Sequence, residues 1–293
     1  MSVAAVITSR NRPRFARQAY ESVLAQTVPA DEIVVVDDGS ETPLDAADFP
    51  SARVLRLDPS RGASAARNQG AQACGGDVLM FLDDDDVWLP EKLAAQRACF
   101  EGPGGSDVAL VYSGRVIVRD DAPEQPLRRV ASRFEGTALP QLWWSNVVGV
   151  TSAVAIRRSV FDEVGGFDES APLRLDYDLW LRCARHGTVR WDGGHHVRYT
   201  VHANPGAQLS ATVDRNRRGV QYLLDKYAEE IEALGPSGAR RARAEKWYAA
   251  ARQVRRSSWR AALGLLLRGQ LAWPRPRMLA LLLPGVFLAR LGL

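Results

Sequence analysis

"GGDVLMFLDDDDVWLPEKL", residues 75–93, sets a turn, a continuous apolar run, four aspartates and a tryptophan directly before a proline-led helix signal. A strand as apolar as "VLMFL" suits a sheet covered on both faces, which is the environment of parallel strands in α/β proteins. Pro90 is suited to the first turn of the helix that follows. Carboxylates at the carboxyl end of such a strand stand where open α/β sheets place their ligands. Taken alone, the acidic run fits a solvated surface loop as well as a site for a hard divalent cation, which takes carboxylate oxygens together with phosphates and water.

Working outward, the same alternation continues. Strand signals occur at 4–8, 32–38, 53–57 and 77–82, with helices at about 14–26, 63–74 and from Pro90 onward. The expectation is a mostly parallel α/β sheet flanked by helices. After the turn-rich "EGPGGSD" (101–107), "VALVYSGRVIVR" (108–119) reads as a hairpin-like pair of strands and "GVTSAVAI" (149–156) as another strand. A helix over 176–185 and separate strands at 188–191 and 197–201 follow, and from about Thr212 the chain turns helical. The division expected is 1–105 for a first binding half, 106–211 for a second half of the same domain, and 212–293 for a helical C-terminal tail.

Charge is unevenly spread. Of the 38 basic and 34 acidic residues, twelve Lys or Arg but only Glu245 among the acids lie from Pro236 onward. The body is therefore about −7 and the tail about +11, a distribution that suits contact with an anionic membrane, the alternative being that the tail helices pack on the body and bury their own leucines. Nucleic acid is not expected as a partner, because the tail's Trp247, Trp259, Trp273 and leucines would then be exposed without purpose. The final apolar run, 278–293, is sixteen residues broken by Pro284, Gly285 and Arg290, shorter than the about 20 a membrane span requires. Cys74, Cys99 and Cys183 have neither disulfide-framework nor metal-ligand spacing and read as small buried thiols in a reducing compartment. The first residues lack a basic region and cleavage signature, so the expected location is cytoplasmic, with peripheral contact at the cytoplasmic face of the membrane.

Three further segments carry chemistry. "VVVDDGS" (34–40) ends another buried strand with Asp37 and Asp38, which either accept hydrogen bonds from a ribose or base or begin a turn at Gly39. "VITSRNRP" (6–13) brings small hydroxyls and two arginines to a strand end. "SRGASAARNQG" (60–70) runs a glycine loop into a helix N-terminus, with Arg67 inside that helix. Neither a Walker lysine nor a G-x-G-x-x-G fingerprint is present.

Together with "RRSVFDEVGGFDE" (157–169) and "DYDLWLRCARHG" (176–187), these segments resemble the family 2 glycosyltransferases of GT-A fold, over roughly residues 3–205. The resemblance implies a sugar nucleotide donor, a divalent cation (Mn²⁺ or Mg²⁺), a glycan or lipid-linked acceptor, and inversion at the anomeric carbon. By motif, Thr8, Arg10, Asp38 and Arg67 fall where the nucleotide is held. Asp85 matches the metal ligand, and Asp84 contacts the ribose or a metal-bound water. Asp83 is placed near the donor and Asp86 as the cap of the following turn. His202 is a secondary candidate near the diphosphate or metal.

Asp176 matches the base that deprotonates the acceptor hydroxyl, although Leu175 stands where the family usually has glutamate. On the residues alone Asp176 also suits a helix N-cap. Asp178, about 200° around a helix from Asp176, is assigned a structural role. Arg10 replaces a usual aromatic, which weakens a claim for uracil. Trp143 or Trp144 would stack on a sugar or belong to a core. The function expected is transfer of a sugar in surface or secreted glycan biosynthesis. Alternatives are a polyprenyl-phosphate sugar synthase of the same fold and a non-catalytic sugar-nucleotide-binding protein.

Overall fold

The computed structural model describes residues 1–202, 212–255, 258–275 and 278. Segments 203–211 and 279–293, which include most of the terminal apolar run, lie outside the described residues.

The chain runs β1 (Val3–Ser9), α1 (Pro13–Leu24), β2 (Glu32–Asp38), β3 (Arg53–Leu57), α2 (Ala63–Gln72), β4 (Val78–Asp83), β5 (Val87–Trp88) and α3 (Lys92–Glu101). Then come β6 (Val108–Arg119), β7 (Arg128–Val130), α4 (Leu139–Leu142), β8 (Val154–Arg157), α5 (Arg158–Glu163), α6 (Leu175–Cys183) and β9 (Thr188–Val201). Four helices follow: α7 (Val213–Lys226), α8 (Ala228–Glu232), α9 (Gly235–Val254) and α10 (Trp259–Ala272). Two compact units result, one built from 1–142, 146–169 and 175–201, the other from 143–145, 170–174 and 202–293.

The first unit holds a nine-stranded sheet in the order β3-β2-β1-β4-β8-β6-β9-β5, with β7 paired to β6. β1 pairs in parallel with β2 on one side and with β4 on the other. The chain thus leaves β1 toward one edge and returns to its other side, creating a switch point beyond the carboxyl ends of β1 and β4. Helix α1 buries Ala16, Ala19, Tyr20 and Val23 at helical spacing, in one cluster with Ile7, Val35, Met80, Leu93 and Phe100. Helix α2 buries small residues, and at Gly70 a Cβ would come within 2.3 Å of Val6 Cγ1, so only glycine permits this approach of helix to sheet. Each large aliphatic side chain removed from water in this core contributes about 1.5–3 kcal/mol.

Two sequence expectations change. Residues 108–119 form one twelve-residue strand rather than a hairpin, and 188–201 form one fourteen-residue strand rather than two. β6 and β9 pair in parallel with register shifts around Gly114, so the local "SG" signal is absorbed as an irregularity inside a long ladder. The sheet is accordingly parallel through β3-β2-β1-β4 and mixed beyond it, where β8 runs antiparallel to both β4 and β6. Cys74 and Cys183 are buried and Cys99 is half-buried, all three as free thiols.

In the second unit, Trp247, Tyr248 and Val254 of α9 pack with Leu265 and Leu266 of α10 and Val220 of α7. A Cβ at Gly269 would meet the Tyr248 ring at 2.5 Å, so glycine sets the approach of α10 to α9. Ser258 caps α10 by accepting the Ala261 N–H at 3.3 Å. Part of the tail's apolar content thus forms a core of its own, while Trp259, Leu267 and Leu271 of α10 stay exposed. Among the described residues no helix is long and apolar enough to cross a membrane.

Candidate functional site

The switch point gathers the acidic run. Register places Thr8 beside Asp83 and, on its other side, Val36. One residue further along β1, Ser9 Oγ donates to Asp84 Oδ2 at 2.7 Å. Arg12, which precedes α1, aims a single nitrogen at two carboxylates, 3.2 Å from Asp84 Oδ1 and 2.9 Å from Asp85 Oδ2. Arg67 of α2 donates to Asp83 Oδ1 and lies 5.3 Å from the Phe167 ring centroid. Arg10 is exposed and stands apart from these pairs.

Burial pushes Asp84 up to about 7, and the neighbouring charge of Asp85 adds to the shift, while Ser9 and Arg12 oppose it. Burial works against the charge on Arg12, but Asp84 and Asp85 outweigh it and the guanidinium is held above its usual range. Asp86 is fully buried and raised well above a normal carboxylate, first by desolvation and then by Asp85 and Asp83. Its backbone N–H closes a turn onto Asp83 O at 3.1 Å, but its carboxylate accepts the Thr200 N–H of β9 at 3.1 Å. Asp86 therefore ties the acidic loop to β9 instead of capping the turn that follows, with the Ser152 hydroxyl partly offsetting its rise.

Asp37 and Asp38 divide their work. Asp37 accepts from the N–H groups of Ser40 and Leu44 and from Arg56, and these bonds outweigh desolvation to hold its pKa down. Asp38 accepts from Ser60 Oγ at 2.8 Å and from the N–H groups of Arg61 and Gly62, which lead into α2. Gly39, at φ +67°, lets the two loops touch, since a Cβ there would lie 2.5 Å from the Ser60 nitrogen. The buried Asp38 carboxylate thus shapes the loop in front of Arg67. Asn68 holds residue 167 from both sides, accepting its N–H and donating to its carbonyl at 2.8 Å each, and also donates to Glu169.

Asp176 sits half-buried in the first turn of α6, where Oδ1 accepts the Tyr177 N–H at 2.7 Å. Asp178 is fully buried and held by Arg182 at 2.8 Å, while Arg182 also donates to the carbonyls of Val164 and Gly166. That pair fastens α6 to the loop after α5. Arg115 of β6 has both Asp86 and Asp176 among its charged neighbours, so one guanidinium senses the acidic loop and the head of α6.

Three of the residues singled out in the sequence belong to the second unit. His202 follows β9 and is buried. Trp143 is buried, with its ring 5.8 Å from Tyr227 and its carbonyl accepting from Lys246, so it forms part of that unit's core; Trp144 lies under Arg241.

The donor set suits a hard cation. Asp84 and Asp85 converge closely enough for one Arg12 nitrogen to reach both. No group of three or more potential protein ligands forms among the described residues. Two carboxylates completed by phosphate and water oxygens is the arrangement Mg²⁺ commonly adopts. Sequence reading noted the hydroxyls and two arginines of 6–13 but gave a role only to Thr8 and Arg10, not to Ser9 or Arg12, and it gave none to Arg115 or to Ser152, whose Oγ accepts the Asp83 N–H at 3.2 Å. Arg12 carried a usable signal, since it stands immediately before Pro13 and therefore at the turn into α1.

A family model described as "Glycosyl transferase family 2" matches residues 4–165. An uncharacterized glycosyltransferase of Rickettsia prowazekii is 29% identical over 207 residues, which are 69% of this chain and 64% of that protein. One from Bacillus subtilis is 29% identical over 240 residues, 78% of this chain and 84% of the relative. Among solved structures, S. aureus TarS in complex with UDP-GlcNAc aligns with TM-score 0.57 at 12% identity, covering 92% of this chain and 89% of that one. The mannosyltransferase PcManGT from Pyrobaculum calidifontis, in complex with GDP-Man and Mn²⁺, aligns with TM-score 0.56 at 18% identity, covering 98% and 80%. At these identities the structural likeness speaks to the fold.

Proposed function

The chain belongs to glycosyl transferase family 2 and has the GT-A fold, and on that premise we propose that it transfers a sugar from a nucleoside-diphosphate donor to a hydroxyl acceptor by a single inverting displacement. The observation that carries this reading is the convergence of Asp84 and Asp85 on one point beyond β4. Thr8, Arg10 and Asp38 border the nucleoside side, and Arg67 stands toward the diphosphate. Asp84 and Asp85 would hold Mn²⁺ or Mg²⁺. When bound there, the cation supplies neutralisation of charge on the leaving diphosphate.

Asp176 takes the proton of the acceptor hydroxyl as that oxygen attacks the anomeric carbon, and the carbon–oxygen bond to the diphosphate breaks on the opposite face. The guanidinium of Arg67, already positioned by Asp83 and Phe167, offers fixed positive charge as the leaving group forms. The product feeds a surface or secreted glycan. Exposed Trp259, Leu267 and Leu271 beside Arg260 and Arg268 on α10 suit peripheral contact with an anionic membrane.

The test is a thermal-shift screen of uridine, guanosine and thymidine diphosphate sugars with Mn²⁺. A donor that binds only the folded chain stabilises it by RT ln(1 + [L]/Kd). A Mn²⁺-dependent rise with one nucleotide class supports the reading. Absence of any rise across the panel counts against it.

A further inference from the structure

Arg115 is not used by the roles assigned above. It lies in β6 just beyond the register shift at Gly114. Its guanidinium carbon lies 5.8 Å from the Tyr199 ring centroid. It also passes so close to Gly149 that a Cβ there would lie 2.9 Å from Nη1. Gly149 is held at φ +110°. Its N–H donates to Asn146 Oδ1 at 2.8 Å, and its carbonyl accepts from Asn146 Nδ2 and Trp180 Nε1. The positive φ makes residue 149 a glycine position, and the guanidinium end lies against it.

Arg115 forms no hydrogen bond or ion pair with another described residue. Burial works against its charge, Tyr199, Asp86 and Asp176 partly restore it, and Arg128 opposes it again. A partly buried guanidinium has five N–H donors and needs acceptor oxygens for them. Strand β7 continues the positive charge outward: register sets Arg129 beside Val116 and Arg128 beside Ile117, both exposed. This concentration of arginines stands out in a body whose net charge is about −7.

We propose that Arg115 receives an anionic oxygen group, a phosphate or a carboxylate, carried by the acceptor. The inference rests on the transferase reading above and narrows its acceptor to an anionic class. The acceptor side is favoured because Arg12 and Arg67 already serve the acidic run at β4. Arg115 stands on β6 instead, paired across the ladder with Val130 of β7 and with Asp176 of α6 among its charged neighbours. Bidentate pairing of guanidinium with phosphate or carboxylate is the strong form of such recognition.

The test is calorimetric titration of the full chain at low ionic strength with glycerol 3-phosphate, citronellyl phosphate, methyl glucuronide and neutral methyl glucoside. A parallel titration uses uridine and guanosine diphosphates with Mn²⁺. Anionic probes are expected to bind more tightly than the glucoside, and Arg115→Gln to weaken them at least about tenfold, with Arg115→Lys between the two. The relative affinities of the two phosphates and the glucuronide separate a soluble phosphate, a lipid phosphate and a carboxylate. Equal affinity for charged and neutral probes, or unchanged affinity in a folded Arg115→Gln chain, overturns the proposal. If Arg115→Gln lost the diphosphates and kept the anionic probes, the arginine would belong to the donor and the acceptor assignment would fall. Should the wild-type chain bind no diphosphate, the transferase reading fails, and the anionic-probe result stands apart from it. If the Gln variant does not fold, Arg115→Lys and the surface variant Arg128→Gln supply the comparison, with a smaller loss expected for the latter.

Discussion

Arg12 and Asp85 meet through one Nη1···Oδ2 hydrogen bond of 2.9 Å, and the same nitrogen reaches Asp84 at 3.2 Å. One positive centre is therefore shared between two neighbouring carboxylates, one of them buried just beyond the end of β4.

Arg12→Ala removes that centre. In metal-free buffer the variant should lose about 1 kcal/mol, since partly buried charge pairs exceed the small value of exposed ones. Added Mn²⁺ should then raise its melting temperature more than it raises that of the wild type, because the guanidinium no longer competes for the carboxylates. Equal Mn²⁺ increments in the two proteins would show that Arg12 does not mark the cation position.

Asp85→Ala should leave the fold intact, because Asp85 is half-exposed, and should abolish transfer together with most Mn²⁺ binding. Titration of free Mn²⁺ by electron paramagnetic resonance reads the binding directly. Undiminished Mn²⁺ uptake would remove Asp85 from the ligand set.

Asp176→Asn keeps the shape of the side chain and an oxygen for the Tyr177 N–H, but cannot take a proton. Turnover should fall by roughly 10²–10⁴, while donor affinity measured by calorimetry persists. Unchanged turnover would transfer the role elsewhere, with Glu169 the next carboxylate to test.

Lys92 and Lys246 are buried, and desolvation lowers each to about 7. The unfolded chain, with ordinary lysines, binds more protons than the folded one between about 7 and about 10.4. Stability should therefore rise with pH through that window, and below about 7 the full cost of burying the charges is present. Lys92 donates to Gln96 at 2.6 Å and lies 4.5 Å from the Trp88 ring centroid, contacts that partly compensate. Lys92→Met should flatten the rise, as read from urea melts between pH 7 and 9.5; an unaltered slope would place the titration elsewhere.

On α10, Trp259, Leu267 and Leu271 are 58%, 50% and 87% exposed, so they can be changed without opening the core of the second unit. Cutting the chain near Gly235 would remove α9 and that core with it. The full chain should pellet with anionic vesicles at low salt, and Leu267→Glu with Leu271→Glu should release it, since acidic residues replace apolar contact with repulsion. If wild type and variant both stay in the supernatant, the face serves another purpose.

The sequence by itself determined the helices and all strands of the first hundred residues except the two-residue β5, together with the place of the acidic run. Runs such as "IVVV" and "VLMFL" can be satisfied only where both faces are covered, and α1 shows its buried face as a helical repeat. Those are local patterns, and they bring Thr8, Asp38 and Asp84 to the same edge of a parallel sheet. Tertiary structure alone decided which groups meet there. Arg12 lies 72 and 73 residues from its two aspartates, and Asp86 lies 114 from Thr200. It also decided that 108–119 and 188–201 are single long strands, because each is held in register by the other across the irregularity around Gly114. Arg115 belongs with these: its position depends on Gly149 and Tyr199, which are neighbours only once β6 and β9 have paired and the loop before β8 has closed over them.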